Sequence, residues 1–133
     1  MQRVAKCACG SASICVSGDP VAHSVCHCKN CKKRTGSAFG ISAYFPKQAV
    51  VVMEGQTSLY AFHNAARNED QERHFCSRCG TTLYLYISTL PELICIAGGC
   101  FADDPLDEPN ITASHSKKLE WVTLPDTWRV WPE

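Results

Sequence analysis

Apolar residues along this chain come in short runs of strand length. They are "SICVS" (13–17), "AFGISAYF" (38–45), "AVVVM" (49–53), "SLYAF" (58–62), "TTLYLYI" (81–87) and "LICIAG" (93–98). Each run is rich in β-branched and aromatic residues, and Gly, Pro, Asn or Asp signals such as "SGDP", "FPKQ" and "MEGQ" separate them. This spacing predicts a mainly β fold of small antiparallel sheets. Helix is expected only in "CKNCKKRTG", for about two turns, and in a short turn of "SKKLEW" near Leu119. No repeat or linker divides the chain, so residues 1–133 are expected to form one domain, and "ADDPLDEPN" is a polar loop able to cover a site.

A length of 133 residues suits a domain that buries a core without the help of disulfides. Thirteen basic residues balance thirteen acidic ones, so no global field draws nucleic acid or an anionic membrane, and the expected partner is small. No apolar run reaches the length of a membrane span, and "MQRVAKCACG" lacks the apolar stretch of a signal peptide. The expected location is therefore the cytoplasm. Ten cysteines in a reducing compartment point to metal or catalysis in preference to disulfides.

The ten cysteines sort by spacing. Cys15 and Cys95 lie among apolar residues, where a free cysteine acts as a small buried hydrophobe, and Cys100 leaves a glycine-rich turn with packing as its favoured role. The other seven cluster as Cys7 and Cys9 in "CACG", Cys26, Cys28 and Cys31 in "CHCKNC", and Cys76 and Cys79 in "CSRCG". A closed structural zinc site takes four ligands, commonly from two short knuckles, and a zinc site that does chemistry keeps a position open. The two knuckles that end in glycine, Cys7–Cys9 and Cys76–Cys79, pair as the closed site, with backbone N–H groups and Arg78 expected to offset the thiolate charge. Such a clip joins the N-terminus to the middle of the chain and closes a long loop.

Cys26, Cys28 and Cys31 remain as three ligands on one face of a second zinc, which leaves the opposite face accessible. The Lys29, Lys32, Lys33 and Arg34 cations favour thiolate and could draw an anionic ligand, although any one of them alone reads as a solvated side chain. His27 sits between two ligands, and its side chain is expected to point away from the metal they share. His27, His63 and His74 each read as surface or satisfied histidines.

The order "CACG", "CHCKNCKKRTGSAFG", "HFCSRCG", "AGGCFADDPLDEP" and "LEWVTLPD" resembles the glutathione-dependent formaldehyde-activating enzyme family over nearly the entire chain. The resemblance implies a β-tent, with two small sheets meeting at the structural zinc, and the same division of the thiols. It implies two zinc ions per chain, the second labile and in part occupied. It places Ser37 and Phe39 near the substrate pocket, beside Lys32, Lys33 and Arg34 as carboxylate-attracting groups. It also implies a carbon–sulfur lyase activity, the reversible addition of a thiol such as glutathione to formaldehyde or another small aldehyde. Two other readings of the residues stay open: a zinc-stabilised binding or carrier module, and a weaker one, a CxxC redox protein.

Overall fold

The computed structural model describes residues 1–133. Eleven strands fall into two sheets. The smaller is antiparallel, with order β1 (Gln2–Lys6), β2 (Ser13–Ser17) and β5 (Val50–Glu54). The larger begins with β11 (Arg129–Val130), β10 (Ile111–Ala113), β3 (Ala22–Cys26) and β4 (Gly40–Pro46). It continues through β9 (Leu93–Ala97), β8 (Thr82–Ile87), β7 (Glu69–Cys76) and β6 (Thr57–Asn64). All six apolar runs lie in strands. Pairing is antiparallel, as expected, except at one edge, where β10 runs parallel to both β3 and β11.

The inward positions of both sheets make one core. Ala5, Ile14 and Val16 of the smaller sheet join Phe45, Leu83, Ile94 and Ile96 of the larger, and Phe101 packs its ring 6.1 Å from Phe45. Each of the larger apolar side chains contributes roughly 1.5–3 kcal/mol by leaving water, and the same core takes in Cys7 and Cys76 of the two knuckles. β7 follows a different rule. "EDQERHFC" has little apolar content, yet it pairs along eight positions with β6, from Thr57↔Cys76 to Asn64↔Glu69. His74 stacks on Tyr84 at 4.5 Å across the neighbouring strand, so ring contacts on a half-exposed face do the work of burial.

Two local features set up the cysteine turns. The β5–β6 turn carries Gly55 at φ +88°, where an added Cβ would lie 2.0 Å from the Ser11 carbonyl oxygen beside the first knuckle. Gly55→Ala is expected to cost roughly 2–4 kcal/mol, from left-handed strain plus the collision with backbone. Gly18→Ala, also at positive φ but with open space around it, bears only the strain. Thermal melts of the two variants check this: Gly55→Ala should melt well below Gly18→Ala, and equal midpoints would refute the close approach.

The second feature is α1 (Lys29–Thr35), the helix expected after Cys28. The Cys28 sulfur caps it by accepting the Cys31 N–H at 3.3 Å, and Gly36 ends it in the left-handed conformation. Lys32, Lys33 and Arg34 occupy its last turn, where cations complement the helix dipole. The helical turn expected near Leu119 is displaced. A single 3₁₀ turn forms at His115–Lys117, and a hydrogen-bonded turn from Leu119 to Val122 follows it.

Candidate metal centres and substrate cleft

The first knuckle follows β1 and the second follows β7, so the fold brings together residues 67 positions apart. Both knuckles close in the same way. Cys7 N–H donates to the Ala12 carbonyl and Cys76 N–H to the Thr81 carbonyl, at 3.0 and 2.9 Å. Gly10 and Gly80 make the turns at φ +79° and +81°. The N–H groups that reach sulfur belong to other residues, however. Ala12 donates to Cys7 Sγ, and Arg78 and Cys79 both donate to Cys76 Sγ, at 3.3–3.5 Å. Arg78 thus acts through its backbone, and the glycines act by bending the chain.

The four sulfurs of Cys7, Cys9, Cys76 and Cys79 lie within 4.8 Å of one another. Cys7 and Cys9 are 3.7 Å apart and Cys9 and Cys76 are 3.8 Å apart. A tetrahedron with metal–sulfur bonds of about 2.3 Å has edges of about 3.8 Å, so the donor set fits zinc in size as well as in softness. Hydroxyl groups complete the surroundings. Ser11 Oγ stands 3.0 Å from Cys9 and 3.3 Å from Cys76, and Thr81 Oγ1 stands 3.2 Å from Cys79. The Thr81 hydroxyl, helped by backbone N–H groups of Thr81 and Cys9, pulls the Cys79 thiol down to about 5. Ser11 and the N–H groups of Cys79 and Arg78 lower Cys76 in the same sense, which favours the thiolates that a metal requires.

The second cluster is built locally. β3 ends at Cys26, Cys28 caps α1, and Cys31 lies one turn further on, so three half-buried sulfurs come within 4.8 Å of one another. No fourth His, Cys, Asp or Glu joins them. Hydrogen bonding from the Cys26 and Cys31 thiols and the Cys31 N–H, together with the charge of Arg67, lowers the Cys28 thiol from its usual range. Cys31 is driven the other way by the same neighbours and by burial.

His27 points away from this cluster, as its position between two ligands requires. Of its two expected settings, surface or satisfied, the surface one does not hold. Its ring is fully buried, Nε2 shares a hydrogen bond with Thr112 Oγ1 at 2.9 Å, and Nδ1 has no partner. Thr112 Oγ1 in turn meets His115 Nδ1 at 3.0 Å, which fixes the "CHC" turn to β10. His63 is exposed and paired with Asp70, and His74 meets Glu72. Cys95 is buried as expected, whereas Cys15 is only half-buried, with its thiol donating to Gln2 Oε1 at 3.6 Å.

A cleft of about 600 Å³ opens beside the four-thiol cluster, lined by Cys7 and by the segment that follows the three-thiol cluster. Arg34, Thr35, Ser37 and Phe39 form one wall, Lys6, Cys7, Gly80 and Thr81 another, and Cys100, Ala102 and Asp103 close the end. Three of the expected substrate residues, Arg34, Ser37 and Phe39, thus share a cavity. Ser37 is turned partly to its own loop, donating to the Phe39 carbonyl at 2.9 Å. Lys32 and Lys33 are not in this cleft. Lys32 Nζ donates to the Lys117 carbonyl at 2.7 Å, and Lys33 is exposed on the helix. Cys100 is buried against the cleft with its thiol pushed up to about 11 by burial, and it donates weakly to the Thr82 carbonyl. The "ADDPLDEPN" loop borders the cleft through Ala102 and Asp103, and Asp104 anchors the loop by accepting the Val4 N–H at 3.2 Å. No helix is long and apolar enough to cross a membrane.

A mainly β protein with one four-thiol and one three-thiol cluster, the first bordering a cleft, is the class that this geometry defines. The family model described as glutathione-dependent formaldehyde-activating enzyme matches residues 2–117, and the chain belongs to that family. A Halomonas elongata protein named "Putative glutathione-dependent formaldehyde-activating enzyme" is 29% identical over 122 residues, covering 89% of this chain and 78% of its own. A Fusarium vanettenii protein of the same name is 30% identical over 79 residues, 59% of this chain and 41% of its own length. Among solved structures, the crystal structure of a Rhodobacter sphaeroides protein superposes with a TM-score of 0.55 at 21% identity, covering 73% of this chain and 85% of that one. This last likeness concerns the fold.

Proposed function

We propose that the chain is a two-zinc carbon–sulfur lyase of the cytoplasm, acting as one domain over residues 1–133, that adds glutathione or a similar thiol to formaldehyde or another small aldehyde. Cys7, Cys9, Cys76 and Cys79 hold the structural ion, and Cys26, Cys28 and Cys31 hold the catalytic one. The single observation that carries this reading is the contrast between the clusters. Four sulfurs close one site, and three half-buried sulfurs with no fourth donor leave the other with room for a ligand. The names of the Halomonas and Fusarium relatives supply the substrate pair.

Zinc at the open site supplies thiolate stabilisation and weak Lewis acidity, weakened further by three charge-donating sulfurs. The chain's own residues then supply position. Arg34 reaches from the cleft wall to the three-thiol cluster, since a Cβ at Gly40 would meet both Arg34 Nη2 and Cys31 Cβ. A thiol laid along the cleft would lie against Arg34, Ser37 and Phe39, with Arg34 between it and the second cluster. In the reaction, the thiol sulfur bonds to the aldehyde carbon, the carbonyl electron pair moves to oxygen, and the proton lost from sulfur ends on that oxygen. Since thiol and aldehyde combine without a catalyst, holding the two together accounts for most of the acceleration.

Calorimetric titration with glutathione, followed by assay of formaldehyde consumption, tests the reading. The expected result is one glutathione per chain when both clusters are loaded and faster hemithioacetal formation than in buffer. Failure of glutathione to bind the fully loaded protein would sink it and leave a zinc-stabilised binding module in its place.

A further inference from the structure

The β6–β7 hairpin brings two cations to the second cluster that no cysteine motif announces. Arg73, on β7 opposite Tyr60, lays its guanidinium 4.7 Å from the Phe62 ring and 5.8 Å from that of Tyr60. It also donates from Nη2 to the Asn30 carbonyl in the first turn of α1, at 3.4 Å. Stacking fixes the plane of the group and leaves its edge for a ligand. Its Nε is fully buried and has no hydrogen-bond partner. Arg67, at the hairpin tip, donates from Nη2 to Ser114 Oγ at 2.7 Å, and that hydroxyl lies 3.9 Å from Cys26 Sγ. Arg34 comes from the other side, where its Nη2 fills space that only Gly40 leaves open beside Cys31.

None of these three arginines meets a carboxylate. Arg3 with Asp19 is the only arginine or lysine in the chain that does. Arg34 and Arg73 are close enough to repel, which, after burial, holds the Arg73 guanidinium below its usual range. Like charges so placed cost free energy until an anion joins them. The thiols do not balance this charge, because three thiolates on a dication carry one net negative charge against three positive ones.

We infer that Arg67 and Arg73 join Arg34 in an anion site around the three-thiol cluster and hold the carboxylate of the thiol used there. The inference rests on the proposed thiol chemistry and adds two specificity-determining residues to it. Bidentate arginine–carboxylate pairs are directional as well as strong, so the site would select against neutral and cationic thiols of the same size. Arginines that served only to neutralise thiolates would hold the metal and leave thiols of every charge equal.

The test uses the zinc-loaded full chain and three small thiols of similar length: 3-mercaptopropionate, 2-mercaptoethanol and cysteamine. Calorimetric titration should show 3-mercaptopropionate binding about tenfold or more tightly than 2-mercaptoethanol, a difference of about 1.4 kcal/mol, with cysteamine weakest. Raising the salt concentration should shrink the preference. Arg73→Gln should bring the ratio of anionic to neutral affinity towards one with both zinc equivalents retained. Arg67→Gln, at an exposed hairpin tip, makes the same test without touching the sheet. Equal affinity for the three thiols in the parent overturns the anion site and leaves the thiol chemistry standing. An unchanged ratio in both arginine variants also overturns it, and loss of zinc with no change in ratio assigns the arginines to metal retention. No binding by any of the thiols removes both the anion site and the proposed function.

Discussion

Cys76→Ser should yield a chain that is insoluble or lacks a cooperative thermal transition. Cys76 is 1% exposed, and its sulfur accepts the N–H groups of Arg78 and Cys79 while standing 3.8 Å from Cys9. A structural zinc in a thiol site contributes about 10–16 kcal/mol, as large as the whole stability of about 5–15 kcal/mol that domains of this size possess. The core joins the two sheets, but its burial is already counted in that total and does not make up such a loss. Chelator treatment of the parent provides the matching measurement without any substitution, and it should abolish the same transition. A soluble Cys76→Ser protein that unfolds cooperatively, with one zinc equivalent missing, would show that this cluster is dispensable.

Cys28→Ser should have the opposite profile: a melting midpoint close to the parent, one zinc equivalent fewer, and no glutathione binding or thiol–aldehyde activity. Three ligands from one turn span little of the chain, so losing their metal releases a short segment and leaves the sheets packed. Serine suits the test because its hydroxyl can accept the Cys31 N–H as the Cys28 sulfur does, and it is among the best helix N-caps. The helix thus keeps its cap while the site loses a ligand. Zinc quantification, a thermal melt and titration with glutathione on the same preparation read all three quantities. Equal glutathione affinity in parent and variant would place the ligand elsewhere and favour the binding-module reading.

The strands carried by apolar runs were legible because half-buried sheet faces demand β-branched and aromatic side chains. β7 was not, since "EDQERHFC" earns its place through register with β6 and through the His74–Tyr84 stack, neither of which leaves an apolar alternation. β10 and β11 were hidden for another reason. Three- and two-residue strands in a parallel edge carry too few positions to show a period. In the site, cysteine spacing was informative because metal ligation needs particular side chains at short intervals. Lys32 and Lys33 show where proximity in sequence misled: Lys32 turns to the Lys117 carbonyl, and the cleft takes Arg34 alone of the three. Arg67 and Arg73 reach the thiols only through the β6–β7 hairpin. The one sequence clue to them is that Arg73 stands just ahead of "HFC", on a strand that had not been recognised. Whether His27 is exposed or buried could not be read from its neighbours, because its burial comes from β10 and from the Phe39 ring.

The unequal sequence spans of the two clusters set an order of events during synthesis. Cys26, Cys28 and Cys31 leave the ribosome nearly together, whereas Cys9 must wait for a partner 67 residues behind it. At about 5–20 residues per second, that delay is roughly 3–13 s. For that interval Cys7 and Cys9 are free thiols on a nascent hairpin, exposed to oxidants and to competing metals, while the local three-thiol turn can already take up an ion. The cluster of short sequence span is therefore complete first, and the four-thiol cluster comes together only after Cys79 has emerged.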